Sequence, residues 1–284
     1  MKICTTKIAL EAHLSTFRQV NKSIGFVATM GALHEGHLCL IQESKKNTAI
    51  TVCSIFVNPT QFNDPADLEK YPRPLEQDIS LLQSVNCDVL FLPEVVEMYP
   101  PAEQPWHFDI GDLDRIWEGA RRPGHYQGVT QIVKKLFDAV KPDIAFFGQK
   151  DFQQCMVIQH MIAELAIPLQ LKIVDTVRDA DGLAKSSRNV RLSSKGREEA
   201  LALSKALFMV KKDFEEGASP RFLKKKGEDF LRAAEGVEIE YFAICEPTSL
   251  QEVDIDEVVD EPLVAIIAAW VDGVRLIDNV ILRK

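Results

Sequence analysis

The chain has 284 residues, long enough to bury about three quarters of the surface its unfolded form exposes, and its 46% hydrophobic and 26% charged residues exclude disorder. A net charge of −9, from 33 basic and 42 acidic residues, would repel a phosphate backbone and speaks against nucleic acid as a partner. The longest apolar run, Leu263 to Val271, falls far short of the roughly 20 residues that span a bilayer, so no membrane role is expected.

Met1 to Leu10 lacks the apolar stretch of a secretory signal, so a cytoplasmic protein is expected. Short apolar runs then predict strands at Ile24 to Ala28, Ile50 to Val57, Val89 to Leu92, Ile144 to Phe147 and Leu169 to Val174. Between them, Leu38 to Lys46, Leu75 to Ser84, Val129 to Ala139 and Phe152 to Leu165 carry apolar residues at helical spacing. The alternation predicts an α/β fold, a Rossmann-like parallel sheet flanked by helices. Past Val174 the pattern changes to helices at Ser194 to Lys212 and Ser219 to Glu235, the second with Ser219 as cap, Pro220 in the first turn and Gly236 at the exit. Strands at Glu238 to Cys245, Leu263 to Trp270 and Gly273 to Asn279 complete a smaller C-terminal α+β domain. The boundary falls near Asp175, giving domains 1–175 and 176–284. The six cysteines are dispersed without a Cys-x-x-Cys pair, as buried free thiols are.

Thr29 to His37 joins the first of these strands to its helix, where open α/β sheets bind ligands. Gly31 and Gly36 let backbone approach a phosphate, the helix start offers amides, and His34 and His37, three apart, point to one side. Two imidazoles there suit charge developing on a phosphoryl group, while an exposed turn with incidental histidines is the competing reading. A zinc site would need a further ligand from His125 or the carboxylates. Phe147 to Gln154 repeats the strand-to-helix placement, with Lys150 for phosphate, Asp151 for ribose hydroxyls and Gln154 for a substrate. Lys185-Ser186-Ser187-Arg188-Asn189 puts hydroxyls and cations in one polar loop, suited to a triphosphate or to nothing more than a hydrophilic linker. Asn58 to Phe62 presents Gln61 to a small substrate. Arg121 to Tyr126 is a lid or a surface turn. Neither a Gly-x-x-x-x-Gly-Lys-Ser/Thr loop nor a Gly-x-Gly-x-x-Gly turn is present.

Thr-Met-Gly-Ala-Leu-His-x-Gly-His, Asn-Pro-x-Gln-Phe, Arg-Pro-Gly-His, Phe-Gly-x-Lys-Asp-x-Gln-Gln and Asp-Gly-Leu-Ala-x-Ser-Ser-Arg-Asn follow one another up to Asn189, and Leu276-Ile277-Asp278-Asn279 extends the series. On these motifs nearly the whole chain resembles the pantoate–β-alanine ligase family. The resemblance implies a nucleotide- and pantoate-binding domain over 1–175, a C-terminal domain over 176–284 carrying the Ser-Ser-Arg ATP loop, and a homodimer. It implies a reaction in which the carboxylate of pantoate attacks the α-phosphorus of ATP, pyrophosphate leaves, and the amine of β-alanine displaces AMP from pantoyl adenylate. Magnesium accompanies the ATP. By matched position the catalytic groups are His37, His34, Lys150 and Arg188. ATP would contact Met30, Gly31, Ala32, Leu33, His34, Glu35, Gly36 and His37, then Gly148, Gln149, Lys150 and Asp151, then Val177, Lys185, Ser186, Ser187 and Arg188. Gln61 and Gln154 would bind pantoate, Gln61 also facing β-alanine, and Asp78 matches a carboxylate near magnesium. Ala28, Tyr126 and Lys185 depart from common family residues, and Lys185 is expected to add a positive charge beside the triphosphate.

Overall fold

A computed structural model describes residues 1–62, 65–101 and 105–284. In chain order it begins with β1 (Lys2–Cys4), α1 (Lys7–Arg18), β2 (Ile24–Thr29), α2 (Glu35–Asn47), β3 (Ile50–Ile55), α3 (Leu75–Ser84) and β4 (Val89–Phe91). It continues with α4 (His125–Val140), β5 (Ile144–Gly148), α5 (Phe152–Glu164) and β6 (Gln170–Val174). A helix interrupted at Ala200 follows, its second part being α6 (Leu201–Glu215), then α7 (Pro220–Ala233), β7 (Val237–Cys245), β8 (Leu263–Val271) and β9 (Val274–Leu282).

The first six strands form one parallel sheet in the order β1-β4-β3-β2-β5-β6. Strand β2 pairs with β3 on one side and β5 on the other, so the chain reverses its direction of winding at β2, the position at which open α/β sheets generally bind ligands beyond the C-terminal strand ends. Residues facing both layers explain the unbroken apolar runs: all six positions of β3 are buried. Helix α2 closes over this sheet with Leu40 and Ile41, which pack against Val27, Cys53 and Phe146. Each such side chain contributes about 1.5–3 kcal/mol by leaving water.

Strands β7-β8-β9 make a separate antiparallel sheet. Helix α7 starts as its sequence requires, with Ser219 Oγ accepting from Phe222 N and Pro220 in the first turn, and the positive φ of Gly236 turns the chain into β7. Two compact units result: Met1–Gly148 with Gln154–Asp175, and Gln149–Gln153 with Thr176–Lys284. All six cysteines are free thiols, five of them buried. Among the described residues no helix is long and apolar enough to cross a membrane.

Candidate active site

In the first unit the turn between β2 and α2 is fixed from below. Thr29 Oγ1 donates to Ser54 O at 2.8 Å and accepts from Gly31 N at 3.2 Å. Gly31 has φ +82°, and a β-carbon there would lie 2.9 Å from Asp78 Oδ2. Glycine is therefore required both for the left-handed backbone and for the approach of that carboxylate. Asp78, from α3, is buried, and its oxygens accept from Ala32 N at 2.9 Å and Leu33 N at 2.8 Å. Burial pushes its carboxyl above the ordinary range, and the two amides pull it partly back. The residue matched to a magnesium carboxylate is thus the brace of the histidine turn.

The rings of His34 and His37 complete the turn. His34 caps α2, its Nδ1 accepting from Gly36 N at 3.2 Å, and His37 Nδ1 accepts from His34 N at 3.3 Å. A β-carbon on Gly36 would stand 2.9 Å from His34 Cε1, so glycine is what lets the ring fold over that amide. The amides expected to be open to a phosphate are consequently taken, those of Ala32 and Leu33 by Asp78 and those of His34 and Gly36 by imidazoles. An Nδ1 that accepts carries no proton, so in each neutral ring the N–H is at Nε2. The ring centroids are 4.1 Å apart, which puts the two imidazoles side by side as expected from their spacing. Among the described residues, no group of three or more His, Cys, Asp or Glu is arranged to hold a metal.

Gln61 is held by residues whose part the sequence did not reveal. The Nδ2 of buried Asn58 donates to Gln61 Oε1 at 3.1 Å and to Gly128 O at 3.1 Å, and Tyr99 Oη donates to Asn58 Oδ1 at 2.6 Å. Gln61 Nε2 lies 2.9 Å from Met30 Sδ. His125 Nδ1 is 2.9 Å from Gln61 O, and Nε2 is 3.1 Å from the Arg122 guanidinium. A guanidinium only donates, so Nε2 accepts and Nδ1–H donates to the Gln61 carbonyl. The Arg-Pro-Gly-His segment is therefore the support of the Gln61 loop. Beside it, Met30, Gly31, Phe56, Pro59, Leu92 and Asp78 line part of a cavity of about 460 Å³.

In the second unit Lys150 sits in the single 3₁₀ turn Gln149–Asp151, with Nζ 3.8 Å from the exposed Asp151 carboxylate. Gln154 lies half-buried in the first turn of α5, in the first unit. Val177 and Lys185 pair across a hairpin, Lys185 N donating to Val177 O at 2.9 Å. Ser186 Oγ caps the following 3₁₀ turn, Ser187–Arg191, by accepting from Arg188 N, and Asn189 Nδ2 donates to Ala184 O at 3.0 Å. Ser186 keeps its own O–H to donate. The charge expected from Lys185 is already matched: Nζ is 2.6 Å from Asp179 Oδ1, and Arg197 reaches Asp179 Oδ2 at 2.8 Å and Asp181 at 2.9 Å. These cations hold the Asp179 and Asp181 carboxyls below their ordinary range, Lys185 contributing most at Asp179 and Arg197 at Asp181. Lys185 is a strut of the hairpin, so its charge is partly spent before any ligand arrives.

Residues 2–281 match the family model of the pantoate–β-alanine ligases. A pantothenate synthetase of Bacteroides fragilis is 44% identical over 280 residues, covering 99% of this chain and 98% of its own. One from Cytophaga hutchinsonii is 43% identical over 275 residues, covering 96% of each chain. Among solved structures, the pantothenate synthetase of Thermus thermophilus superposes with a TM-score of 0.93 at 40% identity over the whole of both chains. A pantoate–β-alanine ligase of Francisella tularensis, complexed with beta-gamma ATP and beta-alanine, does so with a TM-score of 0.79 at 32% identity, covering 99% of this chain and 97% of its own.

Proposed function

Since the chain belongs to the pantoate–β-alanine ligase family, we propose that it condenses pantoate with β-alanine, driven by cleavage of ATP to AMP and pyrophosphate. The intermediate is pantoyl adenylate. A carboxylate oxygen of pantoate bonds to the α-phosphorus and the bond to pyrophosphate breaks. The β-alanine amine then attacks the acyl carbon, AMP leaves with the bonding pair, and the amine gives up a proton to become the amide.

The paired imidazoles carry this reading. With Nδ1 of each ring accepting from backbone, each Nε2–H is a fixed donor for the oxygens of a phosphoryl group in transit. Donors set in place before the reaction stabilise the developing charge without reorganisation, and phosphoryl transfer needs little else from a protein. Met30 to His37, Gly148 to Asp151, Val177 and Lys185 to Arg188 serve ATP in this reading. Lys150 and Arg188 neutralise phosphate charge, and Asp151 takes the ribose. Gln61 and Gln154 take pantoate. The clamp of Asn58 and His125 on Gln61 supports that role, because a substrate-binding amide must be held to select an orientation. Magnesium enters on the triphosphate as part of the substrate, both oxygens of Asp78 being engaged by amides. The chain works as a homodimer in the cytoplasm, where six free thiols stay reduced.

Exchange of labelled pyrophosphate into ATP tests the proposal. It should require pantoate and magnesium and proceed without β-alanine. Exchange in the absence of pantoate, or with another acid in preference to it, would refute the first step.

A further inference from the structure

The Leu276-Ile277-Asp278-Asn279 run takes no part in the steps above, yet Asp278 is 4% and Asn279 2% exposed. Neighbouring residues of a strand face opposite sides of the sheet. Asp278 shares the core-facing side of β9 with Leu276 and Val280, and Asn279 lies on the other. A carboxylate buried among apolar side chains must be paired and hydrogen-bonded. Asp278 meets both requirements: Arg178 Nη1 and Nη2 reach Oδ2 and Oδ1 at 2.6 and 2.9 Å, and Asn279 N donates to Oδ1 at 2.8 Å. The same guanidinium donates to Gly182 O at 3.1 Å and Asn279 O at 3.2 Å and lies over the Phe208 ring. Arg178 begins the hairpin that leads to Ser186–Arg188, pairing across it with Ala184.

Asn279 performs the matching task on the other segment. Its Nδ2 donates to Gln149 O and to Lys150 O, each at 2.9 Å, and its Oδ1 accepts from Gln149 Nε2 at 3.0 Å. Two carbonyls on one end fix which end of the amide bears the hydrogens. A 3₁₀ turn of three residues has little hydrogen bonding of its own, so its backbone takes the direction its outside partners impose.

We propose that Asn279 and the Arg178–Asp278 pair are positioning residues for ATP. From two consecutive residues of β9 they set the backbone that carries Lys150 and the base of the hairpin that carries Ser186 to Arg188. The inference rests on the reading of Lys150 and Arg188 as phosphate ligands. Asn279 acts through the Lys150 backbone, so its effect must disappear when the Lys150 side chain is gone.

Pantoate-dependent ATP–pyrophosphate exchange on Asn279→Asp, Lys150→Ala, the double variant and Leu231→Ala tests this, with a melting curve for each. Asn279→Asp keeps the volume and turns both donors into an acceptor facing two carbonyls; Leu231→Ala loosens the same unit far from these segments. The expected result is a loss of about 30- to 100-fold in kcat/KM for ATP with Asn279→Asp, and less than about threefold further loss when it is added to Lys150→Ala. Leu231→Ala, melting earlier, should keep its exchange. An Asn279→Asp enzyme no slower than Leu231→Ala, or losses that multiply in the double variant, overturns the positioning role. Should Asn279→Asp not fold, Arg178→Lys replaces it: a KM for ATP unchanged from the parent overturns the role, and a several-fold rise upholds it. A Lys150→Ala enzyme with undiminished exchange removes the phosphate reading and this inference with it. A crippled Lys150→Ala beside an intact Asn279→Asp removes the inference alone.

Discussion

The turn at Thr29–His37 and the hairpin at Val177–Arg191, each proposed above to serve ATP, are held in shape by different forces. The first rests on hydrogen bonds from backbone amides to one buried carboxylate and two neutral rings. The second rests on half-exposed ion pairs around Asp179 and on the buried Arg178–Asp278 pair. Bonds of the first kind are indifferent to salt, whereas exposed pairs are screened within about 10 Å at ordinary ionic strength. A reacting phosphorus needs donors that do not move. Binding the outer phosphates tolerates a support that yields, and the roles proposed for the two segments match that difference.

The sharpest break of this contrast is His37→Ala. The lost Nε2–H should lower turnover in pantoate-dependent exchange by about 10²- to 10³-fold, the effect of removing one preorganised donor. The lost bond from His34 N should cost only about 1 kcal/mol of stability, read from a denaturant melt. Exchange near the parent rate would show that the turn binds ATP without assisting the transfer.

Next in size is Asp78→Ala. Two amides lose their acceptor in a buried place, which should cost roughly 2–4 kcal/mol, with about a tenfold loss of exchange as the turn relaxes. Burial raises the Asp78 pKa, so its contribution to stability is greatest below the ordinary carboxylate range and declines as pH rises through the raised value. Asp78→Asn removes that cost of ionisation but leaves an NH₂ facing an amide N–H, and should fall between the parent and Asp78→Ala. An Asp78→Ala protein as stable as the parent would mean that the turn is held by its own rings.

The same contrast explains what could be read from sequence. The buried strands and the helices over them were legible because an apolar run or a helical spacing is a local property; Leu75–Ser84 falls at the expected residues, and the strand ends move by at most three. β1 and α1 were not legible: β1 has three residues with only Cys4 buried, and the twelve of α1 bury only Leu10 and Leu14. The histidine turn could be recognised because its candidate groups are consecutive. Its brace could not, since Asp78 reaches Ala32 across 46 positions, and Asn279 reaches Gln149 across 130. A free carboxylate and a structural one look alike in sequence, and only the packed neighbours tell them apart.

Lys185 gives the smallest effect and the most direct comparison with the expectation of extra charge at the triphosphate. Its ammonium stands 2.6 Å from Asp179, which also holds Arg197. Removing it with Lys185→Met takes away a cation and frees the carboxylate that balanced it, so the summed local charge becomes more negative, but Arg197 stays to offset it. A half-exposed pair is worth about 0–1 kcal/mol, and the KM for ATP should rise by less than about twofold in Lys185→Met, with the same dependence on salt as the parent. The Asp179 carboxyl is held below its ordinary range, so the stabilisation by this pair is present above that range and is lost as the pH falls through the lowered value. The stability gap between parent and Lys185→Met should therefore close in strong acid and persist at neutrality. A rise in KM of tenfold or more that fades at high salt would show that Lys185 leaves Asp179 to meet the triphosphate, and would make the ion-paired hairpin a device that exchanges partners when ATP binds.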